Sequence, residues 1–112
     1  MKHERLNAYR VMWHFVFFDL PVETPKERKA AARFRKDLLK DGFSMMQFSV
    51  YIRHCASDET TQVHTNRVQR LLPTKGLVSV LKVTDEQYGN ILNFFGREPK
   101  LAASTPQQLE LL

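Results

Sequence analysis

Residues 11–18 read Val-Met-Trp-His-Phe-Val-Phe-Phe, with His14 as the single polar side chain. A run this rich in aromatic and β-branched residues predicts a strand. Alternation places Trp13, Phe15 and Phe17 on one face and Met12, Val16 and Phe18 on the other. A strand that is apolar on both faces has to be covered on both, and this requirement constrains the fold more than any other feature. Asp19-Leu20-Pro21 ends the run, because proline lacks the N–H that a sheet ladder uses.

The covering elements follow along the chain. Thr24-Pro25-Lys26-Glu27 combines a capping threonine, a proline suited to the first helical position and a glutamate that completes a capping box. It predicts a helix over Pro25–Lys40, stopped by Gly42, with Ala30, Ala31, Phe34 and Leu38 inward. Residues 44–53 alternate, with Met46, Phe48, Val50 and Ile52 on one face and Met45, Gln47, Ser49, Tyr51 and Arg53 on the other. The segment is long enough for one strand, or for two short ones around a bend. A second helix is predicted over Asp58–Leu71, with His64, Val68 and Leu71 inward and Val63 off that face. Residues 73–76 read as a turn and residues 77–83 as a strand. Thr84 to Gln87 repeats the capping box and opens a short helical turn, and residues 91–95 are expected to form a last short strand.

This order is one strand short of a β-α-β-β-α-β sandwich. We therefore expect that α+β sandwich, with its second strand bent or split. The domain spans residues 1–95, of which 1–10 are a polar lead-in. Residues 96–112, polar and containing Pro99 and Pro106, form a tail expected to be mobile, with weak helical potential near Leu109. Two helices cover only one face of such a sheet. A second copy of the chain is the simplest cover for the other.

With 112 residues, 43% of them hydrophobic, the chain can bury the core of one domain. Its single cysteine, Cys55, excludes an internal disulfide and a zinc site of paired thiolates. The longest apolar run is far shorter than the roughly 20 residues a membrane helix needs. No hydrophobic signal segment opens the sequence, so a soluble, cytoplasmic protein without a membrane partner is expected. The net charge is +5, and residues 25–41 alone carry seven Lys/Arg against three Asp/Glu. Lys29, Arg33, Lys36 and Lys40 form a narrow stripe on that helix, with Arg28 and Arg35 on a neighbouring flank. The stripe is either a solvated face or a phosphate-contact surface. No base-reading motif accompanies it, which suggests backbone binding without strong sequence preference.

Asp19 is the acid of most interest. At the end of an apolar strand it can be a turn residue accepting backbone N–H groups, or a ligand for Mg²⁺ or Mn²⁺. A single carboxylate is a poor cation site, but two copies facing each other across a two-fold dimer could share one. His3, His14, His54 and His64 show no metal-ligand spacing. His64 reads as packing, and Cys55 as a neutral thiol. Glycine-rich phosphate loops and nucleophile elbows are absent.

Taken together, Phe17-Phe18-Asp19-Leu20-Pro21-Val22, Lys26-Glu27-Arg28-Lys29, Gly42-Phe43 and Gln47-Phe48-Ser49-Val50-Tyr51 resemble the CRISPR-associated Cas2 family. Tyr9-Arg10, Pro73-Thr74-Lys75-Gly76 and Val83-Thr84-Asp85-Glu86-Gln87-Tyr88 are most similar to its type II variants. The likeness covers about residues 9–95. It implies a ferredoxin-like domain forming a symmetric homodimer through stacked sheet faces. It implies a role in spacer acquisition, where the dimer bridges two dimers of the Cas1 integrase and supports duplex DNA. Members are also described as Mg²⁺-dependent endonucleases on RNA or double-stranded DNA. The family's strand-end aspartate maps onto Asp19, as catalytic residue and metal ligand from both protomers. Its strand-two serine maps onto Ser49, a substrate contact, and its first-helix arginines map onto Arg28, Arg33 and Arg35. The alternatives are a toxin-type mRNA interferase of ferredoxin-like fold and an RNA-binding module of similar topology. The latter should carry stacking aromatics on its third strand, and residues 77–83 have none.

Overall fold

A computed structural model describes residues 11–97. The lead-in at 1–10 and the tail from 98 onward lie outside the described residues, as does the helical potential near Leu109. The elements are β1 (Met12–Asp19), α1 (Pro25–Lys40), β2 (Ser44–Gln47), β3 (Val50–Cys55), α2 (Asp58–Leu71), β4 (Leu77–Thr84) and α3 (Asp85–Gly89). The sheet order is β2-β3-β1-β4, with every neighbouring pair antiparallel. This is the ferredoxin-like α+β arrangement. β1 lies inside the sheet, as its two apolar faces require. β1 and β2 are both antiparallel to β3 and so point the same way. A hairpin cannot join two such strands, and α1 supplies the crossover.

Both long helices form where the local signals place them. At the start of α1 the Thr24 hydroxyl accepts from the Glu27 N–H at 3.0 Å, and Glu27 accepts from the Thr24 N–H at 3.1 Å. The helix closes at Asp41, and Gly42 follows at φ +94°. A Cβ at Gly42 would overlap Nη1 of Arg53, which crosses this point to donate to the Asp41 carbonyl at 2.6 Å.

The core lies between the sheet and the two long helices. Val16 and Phe18 of β1, Tyr51 of β3, Phe34 and Leu38 of α1, Val68 of α2 and Phe43 are packed together and buried. Phe18 meets Phe34 edge to face, with centroids 5.2 Å apart. Burial of each such side chain contributes about 2 kcal/mol. Ala31 is buried, and Ala30 lies at the margin of this face.

Two expectations need correction. Residues 44–53 form two strands, as the expected split has it, but the alternation does not run unbroken across them, because Phe48 and Ser49 form the turn between them. A register shift between Met45 and Gln47 breaks the parity just before the turn. Tyr51 faces the core, and Phe48, expected to share the face of Val50 and Ile52, is 69% exposed. Strict alternation misled because β3, like β1, is apolar on both faces. Secondly, residues 91–95 form no strand. The chain leaves β4 through α3, and residues 91–95 do not return to pair with the outer edge of β4.

The face without α1 and α2 carries Trp13, Phe15 and Phe17, with Val50, Ile52, Leu81 and Val83 in register beside them. Tyr88 of α3 stacks on Trp13 at 3.9 Å between centroids, and Trp13 Nε1 donates to Asp85 Oδ1 at 2.7 Å. The chain thus covers one end of this face by itself. The other end stays open, with Phe17 at 37% exposure, Leu81 at 49% and Leu77 at 67%.

Candidate functional site

Asp19 is the last residue of β1, opposite Leu77 of β4. Alternation puts it on the open sheet face, two positions beyond Phe17. Its side chain is exposed, and among the described residues its carboxylate accepts no hydrogen bond and forms no ion pair. The carboxylate is therefore not holding the turn. Other groups do that work. Gly76, at φ +103°, lets the 73–76 turn close on the strand end, where a Cβ would lie 2.6 Å from Leu20 and 3.0 Å from the Asp19 carbonyl. Arg28 donates to the Val22 and Glu23 carbonyls, each at 3.0 Å, and pins the segment between β1 and α1. Ser49 reaches the same end of the sheet from the β2–β3 turn, its carbonyl accepting from the Phe18 N–H at 3.0 Å.

Lys29, Arg33, Lys36 and Lys40 are all exposed on α1. They line one shallow groove with Ala30, Ala32 and Lys26. Among the described residues none of the four is ion-paired. Sequence reasoning missed Lys26, although it lies three positions before Lys29 and extends the stripe by a turn. It also missed Arg70 of α2, which lines a second groove with Arg33, Phe34 and Leu71. No spacing rule links Arg70 to Arg33; the packing of α1 against α2 brings them to one surface. Arg35 stands apart from the stripe. Its guanidinium lies over the Phe48 ring at 4.1 Å and near the Phe18 ring at 5.5 Å.

His64, His14 and Cys55 have structural roles. His64 is buried and pairs through Nδ1 with Asp41 Oδ2 at 2.7 Å, and Arg67 binds the other Asp41 oxygen at 2.8 Å. His14 is fully buried, with Nε2 and the Thr65 hydroxyl 3.0 Å apart. Burial, reinforced by the neighbouring His64, lowers its pKa to about 4. Cys55 is buried, and burial pushes its thiol up, which keeps it protonated and unreactive.

Among the described residues no three His, Cys, Asp or Glu side chains gather as a metal site. Mg²⁺ wants about six oxygen ligands, and one exposed carboxylate supplies at most two. Asp19 fits such an ion only with a second carboxylate brought by another copy and with water. Among the described residues no helix is long and apolar enough to cross a membrane.

The family described as CRISPR associated protein Cas2 matches residues 12–91, from the start of β1 to just beyond α3. The chain belongs to the Cas2 family. It is 54% identical to the CRISPR-associated endoribonuclease Cas2 of Flavobacterium psychrophilum, over 97% of this chain and 95% of that one. The protein of the same name from Parvibaculum lavamentivorans is 52% identical over 89% of this chain and 99% of its own. That from Paracidovorax avenae is 45% identical over 95% and 98%. Asp19, Ser49 and the whole of α1 fall inside the segment matched to the Cas2 family.

Proposed function

We propose that this Cas2-family chain serves CRISPR adaptation in the cytoplasm, as a homodimer that bridges Cas1 integrase dimers and binds duplex DNA. The observation that carries this reading is the half-open sheet face. Phe17, Leu77 and Leu81 are exposed on it, and Asp19 follows Phe17 at its edge with an uncommitted carboxylate. A second copy stacked there buries the apolar end and brings two Asp19 side chains into one neighbourhood. The stripe on α1 lies on the outer side of the helix layer, away from that face, and stays free for phosphates.

Relatives carry the name endoribonuclease, and we extend phosphodiester hydrolysis of RNA or double-stranded DNA to this chain as a second activity. Mg²⁺ or Mn²⁺, when held by the paired Asp19 carboxylates, would supply water activation and offset negative charge on the phosphate. The chain's own residues orient the substrate: Lys29, Arg33, Lys36 and Lys40 track its backbone, and Ser49, whose carbonyl holds the residue before Asp19, is a substrate contact.

Light scattering of the full chain, alone and mixed with the integrase, tests the assembly. The expected species is a dimer that co-elutes with integrase. Phe17→Asp should give monomer or aggregate and lose co-elution. A monodisperse 13 kDa monomer of the unmodified chain at micromolar concentration rejects the dimer and the shared cation together.

A further inference from the structure

Phe48 is a large aromatic that the core, the covered end of the sheet and the strand end all leave unused; among the described residues Phe94 is also exposed, but no guanidinium lies on its ring. It stands in the β2–β3 turn at 69% exposure, beside Ser49, whose carbonyl holds the Phe18 N–H one residue before Asp19. One face of its ring carries the Arg35 guanidinium at 4.1 Å. That guanidinium has no hydrogen-bond or carboxylate partner among the described residues. A planar cation fixed on an aromatic ring, with donors left open, recognises phosphate oxygens. An exposed ring next to it offers a stacking surface for a base.

We propose that Phe48 and Arg35 form a nucleotide clamp: the ring stacks on an unpaired base while the guanidinium holds the adjoining phosphate. The substrate class is a nucleic acid with a single-stranded stretch or overhang, because a base inside a duplex cannot leave its own stack without cost. The clamp rests on the reading that the Asp19 end of the sheet meets nucleic acid, and it adds to that reading a preference for unpaired nucleotides there. It is separate from the α1 stripe, which grips backbone irrespective of pairing.

The test uses the full-length protein, a blunt duplex, and the same duplex with a short 3′ overhang carrying 2-aminopurine. Stacking on Phe48 quenches the probe. Phe48→Ala should abolish quenching and weaken overhang binding on the order of tenfold, with blunt-duplex affinity unchanged. Phe48→Trp should restore both. Arg35→Lys keeps the charge but loses the plane, and should reduce overhang affinity while the circular dichroism melt stays at the wild-type position. Wild-type duplex binding without quenching, or an alanine variant that quenches normally, overturns the clamp and leaves the duplex reading standing. Failure of the wild type to bind either probe overturns both. If Phe48→Ala leaves every nucleic-acid affinity intact but breaks the dimer or its co-elution with integrase, the ring is a protein contact and the clamp is rejected.

Discussion

His64 of α2 and Asp41 at the end of α1 meet at 2.7 Å, Nδ1 to Oδ2, inside a layer where each is at most 10% exposed. The pair fastens the two long helices to each other where the chain turns back toward the sheet. Burial tends to raise the Asp41 carboxyl, but the hydrogen bonds from His64 and Arg67 outweigh it and hold its pKa below the ordinary carboxylate value. His14 lies nearby, neutral and sealed from water. Both groups make the fold sensitive to acid, each in its own range.

The pH dependence has a definite sign. The His14 pKa falls from 6.5 to about 4 on folding, through burial first and the charge of His64 second, with Lys82 and Arg53 adding and Asp41 opposing. Between those values the unfolded chain holds a proton that the folded chain does not, so stability falls as pH drops from 6.5 toward 4. The full shift corresponds to about 3 kcal/mol. Asp41 adds a further loss at lower pH, as the folded carboxyl becomes protonated. Urea unfolding at fixed protein concentration across this range should show the slope, and His14→Leu should flatten its upper part. Equal slopes in the two proteins would remove His14 from the account.

Gly42→Ala should destabilise the domain by about 2 kcal/mol. The new Cβ is strained at φ +94° and displaces Arg53 from the Asp41 carbonyl. Gly89→Ala is the control, since nothing lies within 4 Å of a Cβ there. Thermal melts of the two variants should differ by several degrees; coincident melts would show that Arg53 moves aside at no cost.

Asp19→Asn should leave the melting temperature unchanged, because the carboxylate bonds to nothing among the described residues. Divalent-dependent cleavage of RNA or duplex DNA should disappear, since a neutral amide is a far weaker ligand for Mg²⁺. Duplex binding and integrase co-elution should persist. Undiminished cleavage would take Asp19 out of the reaction, and loss of co-elution would make it structural.

Changing Lys29, Arg33, Lys36 and Lys40 to Ala should weaken binding to unrelated duplexes alike. The slope of log K against log salt should shrink by about 0.9 for each phosphate that the protein no longer neutralises. Arg70→Ala should subtract a smaller increment from the same slope, as Arg70 lies across the groove from Arg33. A slope unmoved by the fourfold change would mark the stripe as a solvated face.

Local signals carried much of the secondary structure. Pro25–Lys40 and Asp58–Leu71 end where the sequence places them, because caps, an initial proline and a positive-φ glycine act within one turn of the chain. Asp19 was legible as a strand-end carboxylate for the same reason, and so was the stripe, which needs only the helical period. Contacts between distant segments were not legible. Which face of β3 Tyr51 occupies depends on the Phe48–Ser49 turn and on β1 beside it, and both faces of that sheet are apolar, so periodicity is silent. The approach of Arg70 to Arg33, the seat of Arg35 on Phe48, the pairing of His64 with Asp41 and the cover of Trp13 by Tyr88 all join residues from separate elements. Sequence spacing encodes only what the backbone repeats within one element; the packing of helices on the sheet decides which distant side chains share a place.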